Sequence, residues 1–72
     1  MDAYDYKAQR WATGEAARVL RLAQVREEIA LLESPRGLDY FDYIATSATR
    51  AAGRDAFVAK MRALATHLTA GA

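Results

Sequence analysis

Two Asp-Tyr couples, "DAYDY" at residues 2–6 and "LDYFDY" at residues 38–43, hold the side chains best suited to chemistry in this sequence. In each couple the aspartates stand three positions apart, Asp2 with Asp5 and Asp39 with Asp42. Carboxylates at that spacing serve one of two ends. At a helix start they accept hydrogen bonds from backbone N–H groups that lack an intrahelical partner, and they meet the positive end of the helix dipole. Interleaved with tyrosine, they form an acidic-aromatic binding surface. Helix initiation accounts for the spacing, so each couple is read as a helix start.

Capping leaves the tyrosines unexplained. Tyr4, Tyr6, Tyr40 and Tyr43 exceed what a cap requires, and tyrosine suits a surface with one apolar and one wet side. Tyr40 and Phe41 are neighbours and cannot both face one core. Trp11 beside Arg10 adds the residue types that dominate the centres of protein interfaces. Trp11, Leu31, Tyr40 and Tyr43 are therefore the expected contacts with a protein partner or a second copy of the chain.

Other chemistries find little to work with. His67 is the only histidine and there is no cysteine, so zinc and di-metal sites lack ligands, and neither metal nor cofactor is expected. Ser34 and Ser47 have no base with an orienting acid in their contexts. Gly14, Gly37, Gly53 and Gly71 are isolated and build no phosphate-cradling loop. The expectation is a protein that is not an enzyme. His67 reads as a surface residue near a helix C-terminus, where positive charge is favoured. Glu27, Glu28 and Glu33 share a segment with Arg18, Arg21 and Arg26, the pattern of a solvated helix face.

Nucleic-acid binding is the alternative. Arg50, Arg54, Lys60 and Arg62 gather in the C-terminal third, and "TRAAGRDAFVAKMR" has the outline of a small basic helix-turn-helix DNA-binding regulator. Two details oppose it. Arg54 stands where an apolar residue would pin the second helix, and Asp55 brings the wrong charge toward phosphates.

The elements that must position these residues follow from composition. Just over half the residues are apolar, a quarter are charged and proline occurs once, which fits a folded chain. Alanine, leucine, arginine and glutamate are strong helix formers, and no strand-length alternating run is evident. The expected fold is all-α, one small helical domain over residues 1–72: a helical hairpin or small bundle turning at residues 34–37. Pro35 disfavours helix at Ser34, and Gly37 permits a positive φ. Each arm, if continuous, would run roughly 45 Å.

In the first arm Tyr4, Ala8, Trp11, Leu22, Val25, Ile29 and Leu32 share a helical face, with a break near Gly14 where Thr13 is placed to cap. Leu20 and Leu31 fall off that stripe and suggest contact on a second side. In the second arm Leu38, Phe41, Ala45, Ala48 and Ala52 keep helical spacing, and Phe57, Met61, Leu64 and Leu68 resume it after a slip at Gly53. This predicts helices over 38–52 and 56–69, the second capped by Asp55.

At 72 residues a single core supplies little surplus stability, so help from association is expected. The longest aliphatic run, "IALL" at residues 29–32, is far too short to span a bilayer, and Asp2 and Asp5 argue against a secretory leader, so the cytoplasm is the expected setting. The sequence thus reads as a small interaction module, an adaptor, accessory subunit or regulator that binds a larger protein or assembles into a homodimer or helical bundle.

Overall fold

The computed structural model describes residues 1–70. Two strands, β1 (Asp2–Asp5) and β2 (Arg10–Thr13), precede four helices: α1 (Gly14–Glu33), α2 (Gly37–Ile44), α3 (Ser47–Ala52) and α4 (Arg54–Thr69). The chain is predominantly helical, and the all-α expectation is corrected by the small antiparallel sheet at its start.

Residues 2–13 are a β-hairpin, not the first turns of a helix. Asp2 pairs with Thr13, Ala3 with Ala12, Tyr4 with Trp11 and Asp5 with Arg10. The loop of residues 6–9 is set by Asp5, whose Oδ1 accepts the backbone N–H groups of Lys7 and Ala8 at 3.1 and 3.0 Å. Asp5 therefore organises a hairpin turn where a helix cap was expected. Gln9 closes the loop with φ 53°, a left-handed conformation that lets a four-residue loop return the chain. Tyr4 and Trp11, seven positions apart, meet across the strands, so the spacing that suggested one helical face serves cross-strand pairing as well.

The break expected near Gly14 is present. Thr13 is extended, at φ −131° and ψ 162°, and α1 begins at the next residue, although the Thr13 side chain makes no cap hydrogen bond. Helix α1 presents Val25, Ile29 and Leu32 to the core, as its spacing predicts, and Ala17 is fully buried as well.

The turn at residues 34–36 leads into α2 at Gly37, which is buried. Gly37 is required here for close approach and not for a positive φ: a β carbon built on it would lie 1.7 Å from the carbonyl oxygen of Leu32. The N-cap of α2 is Arg36, so Asp39 lies in the first turn and is not the cap. Its carboxylate still sits near the positive end of the dipole.

The expected helix over 38–52 is two helices. The chain leaves α2 through Ala45, and the Thr46 side chain accepts the backbone N–H of Thr49 to start α3. Gly53, at φ 77°, ends α3 and caps α4, which places Asp55 in the first turn of α4 instead of at its cap. Left-handed geometry at that junction favours glycine.

The core joins Val25, Ile29 and Leu32 of α1, Phe41 of α2, and Val58, Met61 and Leu68 of α4, with Leu22, Tyr40, Ile44, Ala45, Phe57, Leu64 and Ala65 packed around them. The rings of Phe41 and Phe57 lie 5.9 Å apart at a 50° tilt, linking α2 to α4. Of the apolar row expected in residues 38–52, Phe41 is buried but Leu38 and Ala48 face solvent.

Helices α1 and α4 run antiparallel. Arg18, near the start of α1, donates to the Leu68 carbonyl at the end of α4, while Glu33, at the end of α1, pairs with Arg62 in the middle of α4. Arg18 also pairs with Glu15 one turn back. It thereby supplies a donor to one of the last carbonyls of α4, which lack intrahelical partners. The principal extents are 32 × 26 × 22 Å, which replaces the expected hairpin of two long continuous arms.

Candidate interaction surface

The hairpin packs on α1 with one face and exposes the other. Ala3 is buried, and Gln24 of α1 donates from Nε2 to the Tyr4 carbonyl at 2.8 Å, fastening β1 to the helix. Trp11 lies on the opposite side of the pleat from Ala12, as alternation along a strand demands. Its ring meets that of Tyr4 edge to face, with centroids 5.3 Å apart, and Tyr4 meets Tyr6 in the same manner at 5.0 Å. These contacts hold three aromatic rings in fixed relation. Trp11 is 67% exposed and Tyr6 76%.

Elsewhere, Leu31 is 47% exposed near the end of α1 and Tyr43 is 87% exposed on α2. Leu38, also on α2, and Val19 on α1 are exposed too. Leu20, which suggested a second contact side, is half-buried and helps line a groove between α1 and the hairpin loop, together with Tyr6, Ala8 and Ala23. The hairpin thus accounts for Leu20 within the chain.

Tyr40 stands apart from the other expected contact residues. It is half-buried against the core, and its hydroxyl donates to the Glu28 carboxylate, 2.9 Å from each oxygen. Loss of water raises the Tyr40 pKa, and the hydrogen bond and charge of Glu28 raise it further. The side chain joins α2 to α1. Its aromatic edge still borders a shallow apolar depression with Leu31, Ser34, Pro35 and Arg36 at the α1–α2 turn. Trp11, Leu31 and Tyr43 remain outward, and Tyr6 joins them. The signal for Tyr6 was its place two residues from Tyr4, close enough for the two rings to meet although Tyr6 lies in the hairpin loop.

The basic residues of the C-terminal third are largely engaged. Arg62 pairs with Glu33, Arg54 lies 3.3 Å from Asp55, and Arg50 donates to the Asp42 carbonyl at 3.2 Å. Lys60 is exposed on α4 and forms no ion pair among the described residues. Helices α3 and α4 are joined through Gly53 alone, whereas a helix-turn-helix uses a turn of three or four residues. The apolar face of α4 is packed into the core against α1 and α2.

The Arg18 guanidinium holds the exposed Glu15 carboxyl below the ordinary range, chiefly through their hydrogen bond. His67 is exposed in the last turn of α4, where its sequence position placed it. Among the described residues no three His, Asp or Glu side chains stand close enough to hold a metal ion, and no helix is long and apolar enough to cross a membrane. Comparisons with protein-family models, curated proteins and solved structures found no match for this chain.

Proposed function

We propose that this protein is a non-enzymatic interaction module, an adaptor, accessory subunit or regulator that docks on a larger protein or assembly through its outward aromatic side chains. The observation that carries the reading is the Tyr4, Tyr6 and Trp11 group: two large aromatic rings mostly in water, fixed by edge-to-face contacts on a strand pair fastened to α1. Tryptophan and tyrosine held rigidly lose little side-chain freedom on binding, so such a group is suited to an interface centre. Leu31 on α1 and Tyr43 on α2 are exposed apolar side chains apart from that group.

A photo-crosslinking residue placed in the full chain at Tyr6 or Tyr43, and irradiated in the protein's own host cells, tests this. The same partner should be recovered from one or both positions and not from a control at Asp55, which is exposed on the far element. Crosslinks equal in yield and identity at all three positions would overturn the reading. So would tight, steeply salt-dependent retention on duplex DNA that is lost on changing Lys60 and Arg50, which would assign the chain to nucleic acid.

A further inference from the structure

The two strands do not stand alike toward solvent. Gly14 N–H donates to the Met1 carbonyl at 3.0 Å, which fixes the alternation of the antiparallel ladder. Residues 1 and 14, 3 and 12, and 5 and 10 face each other as hydrogen-bonded pairs, and the Tyr4–Trp11 pair between them is not hydrogen-bonded within the hairpin. The backbone N–H and C=O of Tyr4 and Trp11 therefore point away from the hairpin, toward its two outer edges. On the β1 side that edge is taken at Tyr4, because Gln24 of α1 donates to the Tyr4 carbonyl. On the β2 side Arg10, Trp11 and Thr13 are exposed.

An open edge with one donor and one acceptor on a single residue is self-complementary under a twofold axis. Building on the interaction-module reading, we propose that the β2 edge pairs with the β2 edge of a second copy, antiparallel, with Trp11 opposite its own counterpart. Each Trp11 N–H then donates to the other's carbonyl, making a four-stranded sheet. The pairing keeps like faces together, so the edge-to-face Tyr4–Trp11 row continues across the axis into Trp11 and Tyr4 of the copy. Arg10 falls opposite Ala12, so no like charges are opposed. The corresponding pairing of β1 with itself would set Asp5 opposite Ala3 in the same manner, but over an edge that Gln24 already occupies. A two-stranded ribbon of four-residue strands is marginal in water, and widening it to four strands gives it the support that isolated ribbons lack.

The test uses the whole chain. Sedimentation equilibrium should give twice the 7.9 kDa chain mass at high concentration, and the emission of Trp11, the only tryptophan, should shift to the blue over the same concentration range. A synthetic chain N-methylated at the Trp11 amide loses both intermolecular donors and no hairpin hydrogen bond. Its dimer dissociation constant should rise about thirtyfold. On the unmodified chain, a mixed sample of isotope-labelled and unlabelled copies should show Trp11 ring contacts between chains. A chain that stays monomeric to about 1 mM overturns the inference. So does a dimer indifferent to N-methylation, or one without inter-chain Trp11 contacts. If the monomer still yields a site-specific crosslinked partner in cells, the interaction-module reading stands while the second copy as its partner falls.

Discussion

The Tyr40 hydroxyl stands 2.9 Å from both carboxylate oxygens of Glu28, joining α2 to α1 across the turn that separates them. To donate, the phenol must keep its proton, and burial together with Glu28 raises its pKa above the ordinary value. The folded state therefore holds this proton more tightly than the unfolded chain. The resulting stability is fully present below pH about 10, the value for unfolded tyrosine, and is lost as pH rises through the folded pKa. Tyr40→Phe should cost about 1 kcal/mol at neutral pH and flatten the alkaline fall. Urea unfolding across pH 7 to about 11 checks both. Equal alkaline slopes for the two chains would contradict the assignment.

Gly37→Ala should be among the most damaging substitutions in the chain. The added β carbon would meet backbone at Leu32, which cannot rotate aside, so the α1–α2 junction must open. A loss of about 3 kcal/mol or more is expected, enough to lower the melting temperature sharply or prevent folding. Thermal melts followed by circular dichroism measure it.

Gln9→Gly should stabilise the protein by about 0.5 to 1 kcal/mol, because glycine adopts the left-handed conformation at this loop position without the steric cost that Gln9 carries. In a helix the same change would cost about 1 kcal/mol. The sign of the shift in the denaturation midpoint therefore distinguishes the hairpin from an N-terminal helix.

Leu32→Ala and Leu68→Ala remove fully or nearly fully buried side chains from the α1–α4 core. Each should cost about 2 to 5 kcal/mol. Leu38→Ala removes an exposed leucine and should change stability by less than about 0.5 kcal/mol. Chemical denaturation of the three variants gives the comparison.

Glu33→Gln should be nearly silent. Its ion pair with Arg62 spans α1 and α4 but lies in water on both sides, so the expected loss is under about 1 kcal/mol and shrinks as salt is added. A larger, salt-independent loss would show that the pair organises the helix packing.

The sequence revealed the longer elements because their apolar residues repeat with one period over several turns. Val25, Ile29 and Leu32 in α1, and Met61 and Leu68 in α4, are core residues that periodicity alone picks out. The breaks at Gly14 and Gly53 were legible from residue type. The hairpin was hidden because its loop, "YKAQ", contains neither glycine nor proline but does contain lysine and alanine, and its flanks carry alanine and arginine, all of which favour helix. The local signal was Asp5, which reads equally as a helix cap or as the start of a turn. The step from α2 to α3 rests on Thr46, a capping residue that the surrounding alanines masked. The inward role of Tyr40 depends on Glu28, twelve positions away on another helix, and no spacing rule within one element could supply that partner. Leu31 and Tyr43 were legible as outward residues because they lie off the apolar stripes.

Helix α1 touches the hairpin, α2 and α4, and the contact that closes it against α4 joins residues fifty positions apart. Synthesis from the N-terminus therefore delivers the hub early and its largest cover last. The hairpin and α2 can dock on α1 as soon as they emerge, through contacts near in sequence. The stripe of Val25, Ile29 and Leu32 must wait for α4. During that interval a nascent chain offers an apolar helical groove that the finished protein no longer has, and any chaperone or helical partner acting in synthesis would compete with α4 for the same seat.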